Sequence, residues 1–143
     1  MKIAAAQDVV HWEAAAAAVG AAVRWAEETG IKVNVAVVDA GGNLAAFLRM
    51  PGAFLHSIDI AIDKAYTAAG FGLPTGAWTE ALMAHSPAVR NGIPLRPRMV
   101  CFGGGLPLRH AGRLIGGIGV SGGSEQEDEA CARAGLAALD TTP

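Results

Sequence analysis

Apolar and polar positions follow two different periods along this chain, and the switches between them mark the elements. Residues 8–29 read as one helix: Ala14 to Ala18 supply strong helix formers, and Val9, Val10, Val19 and Val23 mark its apolar faces. Asp8 is placed to cap its start and Gly30 to end it. Val33 to Asp39 is rich in β-branched residues and predicts a strand. Ala40-Gly41-Gly42-Asn43 is a turn that tolerates positive φ, and Leu44 to Arg49 returns antiparallel. Proline cannot donate to a ladder, so Met50-Pro51-Gly52-Ala53 leaves the sheet. Ser57 is positioned to cap a second helix running to about Phe71. Its buried stripe reads Ile58, Ala61, Ile62, Ala65, Ala69, with Asp59, Asp63, Lys64 and Thr67 off that stripe.

Gly70, Gly72 and Pro74 stop the second helix, and Thr75 can cap a shorter one over 76–85. Three prolines and a glycine make 86–97 a loop. Met99 to Phe102 predicts a short strand, broken by Gly103-Gly104-Gly105 and resumed by Leu106 to Arg109. After a turn at Ala111-Gly112, Leu114 to Val120 forms the last strand. Ser124 and Glu127 match a capping box for a final helix to about Leu139. Five strands joined mainly by hairpins, with helices at the start, middle and end, predict an α+β fold. A doubly wound parallel sheet would need helical crossovers that are missing.

Composition narrows the picture. The 143 residues predict a single domain over 1–143. Hydrophobic residues make up 52% and charged ones 17%, an apolar balance that predicts surface buried between subunits of a homo-oligomer. The 11 basic and 13 acidic residues form no basic run, which speaks against nucleic acid or a membrane as partner. No apolar run is long enough to cross a bilayer, and the Ala-rich start lacks the flanks of a signal peptide, so a cytoplasmic location is expected. Cys101 and Cys131 are too few and too far apart for a disulfide framework and read as two buried thiols.

Gly117-Ile118-Gly119-Val120-Ser121-Gly122 fits a dinucleotide fingerprint, with Asp140 at a suitable distance for the ribose acid. The following Glu125, Glu127, Asp128 and Glu129 would repel a pyrophosphate, and no strand follows to complete a βαβ unit. Close packing at a strand end explains the glycines better. Gly103 to Gly105 is either a nest of backbone N–H groups for an anion or a bulge that bends the sheet. His56, Asp59, Asp63, Lys64 and Thr67 are either a solvated helix face or a pocket wall. Asp59 and Asp63 repel each other at i, i+4, so helix stability does not explain them. Lys64 requires a tertiary partner, and Asp39 at the end of its strand is one candidate. The four histidines, His11, His56, His85 and His110, show no metal-binding spacing. No Cys-x-x-Cys-His is present, which excludes covalent haem but leaves non-covalent haem open.

Several segments together resemble one family: Val-Ala-Val-Val-Asp-Ala-Gly-Gly-Asn-Leu (35–44), Asp-Lys-Ala-Tyr-Thr-Ala-Ala (63–69), Pro-Thr (74–75), Phe-Gly-Gly-Gly-Leu-Pro-Leu (102–108) and Gly-Gly-Ile-Gly-Val-Ser-Gly-Gly (116–123). They are similar, in order and over nearly the whole chain, to the GlcG/HbpS family, which includes the C-terminal domain of PduO-type proteins. The resemblance implies a profilin-like five-stranded antiparallel sheet flanked by helices, assembly into dimers or larger oligomers, and haem binding or a place beside catabolic enzymes. It places a ligand pocket at Asp39, Arg49, Lys64, Thr67, Thr75 and the loop Gly103, Gly104, Gly105, Pro107; Arg98 and Phe102 beside that loop are further ligand-binding candidates. The chain departs from the family pattern at Phe54, His56, Trp78 and Arg96-Pro97-Arg98. Those arginines and aromatics would suit an anionic aromatic or small organic acid.

Two functions follow. In the first, the chain binds a tetrapyrrole between the central helix and the glycine-rich loop. Lys64, Arg49 or Arg98 would pair the propionates, and His56 or His11 would ligate the iron. In the second, it is a cofactor-free isomerase, hydratase or hydrolase acting on a small organic acid or a ring-opened aromatic. There the glycine nest holds an oxyanion, Lys64 or His56 moves a proton and Asp59 orients it.

Overall fold

The computed structural model describes residues 1–139. Asp140, noted above as a ribose-acid candidate, lies outside the described residues. Helix α1 (Trp12–Thr29) is followed by strands β1 (Asn34–Asp39) and β2 (Leu44–Arg49), then helix α2 (His56–Phe71). Short helices α3 (Trp78–Met83) and α4 (Pro87–Gly92) precede strands β3 (Gly105–His110) and β4 (Arg113–Ser121). Helix α5 (Glu125–Ala137) completes the order. The sheet has four antiparallel strands in the order β2-β1-β4-β3. Pro107 is tolerated because β3 lies at an edge, where a missing donor costs no ladder bond.

The α+β class holds, but the strand count is four, not five. The expected strand at Met99 to Phe102 does not form. Arg98 takes a left-handed backbone (φ 64°), and the Val100 N–H donates to the Thr67 hydroxyl at 3.1 Å rather than to a neighbouring strand. Two smaller differences are local. Helix α1 begins at Trp12 with His11, not Asp8, as N-cap: the His11 Nδ1 accepts from the Glu13 N–H, while Asp8 pairs with Arg113 at 2.7 Å. Residues 86–97 carry α4 and a 3₁₀ turn, with Ser86 capping α4. At the other end of the chain, Ser124 and Glu127 form the capping box that their spacing predicts.

The strands alternate between two helical layers. Val33 just before β1, Val35 and Val37 of β1, Leu106 and Leu108 of β3, and Ile118 and Val120 of β4 pack with α1 and α5 in one core. The opposite face meets α2 through Ala36, Val38, Ala61, Ala65 and Ala69. On that face β4 and β3 present Gly117, Gly119 and Gly105. A Cβ on Gly119 would overlap the Ala61 carbonyl oxygen, and one on Gly105 would lie 2.6 Å from the Lys64 carbonyl oxygen. The Gly-Ile-Gly-Val pattern is thus a strand with period two: glycine toward the close-packed helix, branched residues toward the larger core.

Helix α2 is rotated relative to the stripe its sequence suggests. Ser57, Ala61, Lys64, Ala65, Thr67, Ala68 and Ala69 are buried, whereas Ile58 and Ile62 are half-buried. Ser57 therefore lies inside the helix, and its start has no side-chain cap. Lys64 is 1% exposed. Its Nζ donates to the Val120 carbonyl at 2.8 Å and to Asp128 Oδ2 at 3.0 Å, and Asp128 Oδ1 accepts from the Gly123 N–H at 2.8 Å. The partner of Lys64 is thus Asp128 on α5, not Asp39. Burial pushes the Lys64 ammonium down from its ordinary value, against the pull of the Asp128 carboxylate. Burial pushes Asp128 up, against Lys64 and the Gly123 N–H. Cys131 is buried with its thiol directed to the Ala22 carbonyl, and burial pushes it up to about 12, while Cys101 is only half-buried.

Two predictions test this packing. Gly119→Ala is expected to cost about 3 kcal/mol or more, because backbone rather than a flexible side chain must yield. Gly70→Ala, on α2 with nothing within 4 Å of its would-be Cβ, is expected to gain about 0.5–1 kcal/mol. Urea unfolding of both variants measures the difference. By the same assay, Lys64→Met and Asp128→Asn should each cost about 3–5 kcal/mol by leaving a buried partner uncompensated. The double variant should cost clearly less than the sum; simple additivity would mean that the ion pair does not couple the two helices.

Candidate functional site

The glycine-rich loop lies over the end of α2, but its polar groups are engaged within the fold. The Gly103 N–H donates to Glu125 Oε1 at 2.7 Å, and the Gly105 N–H donates to the Thr75 hydroxyl at 2.8 Å. The Gly104 carbonyl accepts from the Val120 N–H, and a Cβ at 104 would sit 2.6 Å from Lys64 Nζ. The Phe102 ring covers Lys64, with Nζ 5.1 Å from its centroid. Thr67 ties the preceding segment to α2, donating to the Arg98 carbonyl at 2.9 Å while accepting from Val100. Lys64, Thr67, Thr75, Phe102 and Gly103 to Gly105 are therefore brought together, as the sequence suggested. They form a polar joint in which the Gly103 and Gly105 amides meet a carboxylate and a hydroxyl of the protein itself.

The other expected residues are dispersed. Asp39 closes its own hairpin. Its Oδ1 accepts from the N–H groups of Gly41 and Asn43 at 2.9 Å, and the Asn43 amide bridges both oxygens at 3.1 Å. Slight burial would raise its carboxyl, but those hydrogen bonds outweigh it and hold Asp39 below the ordinary value. Arg49 donates to the Ala53 carbonyl at 2.7 Å and lines a separate cavity of about 400 Å³. His56 and Asp59 are exposed at the start of α2, away from the enclosed Lys64. Pro107 is half-buried in β3. Arg98 lies across the Tyr66 ring and pairs with Asp63 at 3.0 Å.

A larger cavity lies elsewhere. A cleft of about 730 Å³ opens between the start of α1 and the β3–β4 edge, reached also by Leu139. The Val10 N–H donates to the Ile115 carbonyl at 3.0 Å, which lays the chain before α1 across the end of β4 and forms one wall. Val9, Ala14, Leu108 and Ile115 give the cleft an apolar floor, and His11 and His110 stand on its sides. His11 is exposed, with Glu13 Oε1 3.8 Å from its Nδ1 and the Trp12 ring 5.6 Å away. Arg109 lines the cleft as its cation, and Asp8, which also lines it, pairs with Arg113 at 2.7 Å.

Sequence reasoning missed Asp128, Glu125 and the role of His110. A signal for Asp128 was present: it shares the stripe 128, 131, 132, 135 with Cys131, Ala132 and Gly135, so a helix packed on that stripe buries an acid and needs a buried cation. The His110 position depends on how the β3–β4 hairpin packs beside α1, which no local pattern encodes. Among the described residues no cluster of three or more His, Cys, Asp or Glu is arranged to hold a metal ion, and no helix is long and apolar enough to cross a membrane.

Comparison with known proteins agrees with this architecture. The uncharacterized 15.0 kDa protein in the dhaT-dhaS intergenic region of Citrobacter freundii is 39% identical over 109 residues, covering 76% of this chain and 77% of that protein. The corrinoid adenosyltransferase PduO of the same organism is 37% identical over 120 residues; this covers 84% of the chain but 36% of PduO, so the chain spans about a third of that relative. Among solved structures, Klebsiella pneumoniae ORFY superposes with a TM-score of 0.91 at 31% identity, covering 100% of this chain and 99% of ORFY. A PduOC–haem complex superposes with a TM-score of 0.83 at 33% identity, covering 91% of this chain and 94% of its own. The family model for haem degrading protein HbpS-like matches residues 10–137, and the chain belongs to the HbpS-like family.

Proposed function

We propose that this protein binds haem non-covalently, in the cleft between the start of α1 and the β3–β4 edge. The observation that carries this reading is His11 at the side of a cavity of about 730 Å³, backed by a carboxylate. That volume falls within the roughly 300–1,000 Å³ of ordinary cofactor sites, and the apolar floor suits a macrocycle. The neighbouring haem complex of PduOC and the family's description support the same ligand.

The donor chemistry fits. In the present geometry His11 Nδ1 accepts from the Glu13 N–H, so the proton sits on Nε2. Ligation of iron by Nε2 requires the opposite tautomer, in which Nδ1–H gives up the cap bond. The Glu13 carboxylate, 3.8 Å away, then becomes its acceptor, the carboxylate–histidine–metal arrangement that orients a ligating imidazole. Arg109, the cation that lines the cleft, would pair a propionate. His110 is the second imidazole of the cleft. His56, exposed at the start of α2, does not line it.

Exposed Met1, Ile3, Trp12, Phe54, Leu55, Phe71 and Leu95 support self-association, and the proposed protein is a cytoplasmic homo-oligomer of single-domain subunits.

Absorbance titration with hemin tests the reading. Wild-type protein should give a saturable Soret shift at stoichiometric hemin, His11→Ala should lose it, and His56→Ala should keep it. Glu13→Gln should weaken hemin binding about tenfold or more while leaving the helix content unchanged. Nonspecific absorbance in wild type, or unaltered titration in both His11→Ala and His110→Ala, would overturn haem ligation in this cleft.

A further inference from the structure

A smaller cavity, of about 210 Å³, opens on the α2 side of the sheet, away from the His11 cleft. Tyr66, Gly70 and Phe71 of α2 form one wall, and Ile93 and Met99 of the following loop form the other, with Arg96 and Arg98 beside them. Trp78 packs edge-on against Phe71 at 4.7 Å and fixes that ring.

Arg98 is the unusual residue. Its φ is 64°, and among the described non-glycine residues only Ala111 in the β3–β4 turn also has a positive φ. Glycine adopts this conformation freely and arginine does not, so the side chain at position 98 comes at a cost in the backbone. That side chain is held from two directions. The guanidinium lies 3.6 Å from the Tyr66 ring centroid, and its Nε donates to Asp63 Oδ1 at 3.0 Å. The loop beneath it is strapped to α2 through the Thr67 hydroxyl, which donates to the Arg98 carbonyl and accepts from Val100. With Arg96 exposed beside it, the rim carries two cations against the one carboxylate of Asp63.

We propose that this cavity is a second binding site, for a single-ring aromatic monocarboxylate. The ring lies between Phe71 and Met99, and the carboxylate meets Arg96 and the terminal amino groups of Arg98, whose Nε is already committed to Asp63. Size supports the class: an apolar cavity of about 150 Å³ holds one benzene. A cavity of about 210 Å³ adds room for a carboxylate, and it is too small for a tetrapyrrole. Charge complementarity with a planar guanidinium selects a carboxylate over a neutral amide of the same shape.

Calorimetric titration with benzoate, benzamide and acetate tests the proposal. Wild-type protein is expected to bind benzoate saturably and the other two much more weakly, since one lacks charge and the other the ring. Arg98→Gly should weaken benzoate roughly tenfold or more. It should not lower the thermal midpoint, because glycine suits the left-handed backbone, so loss of binding would not reflect loss of fold. Gly70→Leu, which fills the cavity from a position with open space around it, should abolish binding with the arginines intact. Saturating hemin should leave benzoate affinity unchanged. The absence of saturable benzoate binding, equal binding of benzamide, wild-type affinity in Arg98→Gly or Gly70→Leu, or displacement by hemin would each overturn the proposal, and none of these bears on haem in the His11 cleft.

Discussion

The contact between α2 and the glycine face of the sheet governs the rest of this structure. Gly105, Gly117 and Gly119 let the helix backbone rest almost directly on strand backbone, with alanines on the helix side. Helix and sheet then have little side-chain bulk between them, and the interface depends on shape rather than on a thick apolar layer. The thicker core lies on the other face, where valine, leucine and isoleucine from three strands meet α1 and α5. The two unlike layers follow from one strand alternation read on opposite sides.

So close an approach leaves no route to solvent for a residue on the inner face of α2. Lys64 lies there, and its charge is compensated by Asp128 and the Val120 carbonyl. The ion pair joins α2 to α5 past the end of β4, with the glycine-rich loop folded over it. Thr75 and Glu125 take the amides of that loop, and Thr67 takes the amide of Val100. Buried polar groups concentrated in this way are satisfied within the fold, as the low dielectric of an interior demands. The joint therefore holds the structure together, and the open cavities lie at the margins of the sheet.

Two of the concave margins lie on opposite sides of the sheet. One lies beside the β3–β4 edge, where the chain entering α1 crosses β4, and both His11 and His110 line it. The other lies behind α2, where the loop carrying Arg96 and Arg98 stands off the helix. They differ in size and in charge.

Much of this was legible in the sequence. The β-branched run of β1, the Gly-Gly turn after it, the capping box of α5 and the alternation in β4 each carry a local signal, because backbone preference and period-two or helical burial act over a few residues. The residues of the glycine-loop joint, Lys64, Thr67, Thr75 and Gly103 to Gly105, could also be grouped from the chain. What could not be read locally was the rotation of α2, which buries Lys64 and Thr67 while leaving Ile58 half-exposed. Glycines some fifty residues away create the space for that face, and Asp128, sixty-four residues from Lys64, supplies the countercharge. The segment before the glycines reads as a strand by composition, yet a threonine on α2 takes one of its amides and Arg98 turns its backbone. The sequence by itself determined the α+β class and where most elements begin and end, since those depend on near neighbours. Which polar residues are joined inside, and where the surface stays open as a cleft, was decided only by tertiary packing, because it depends on which distant faces meet.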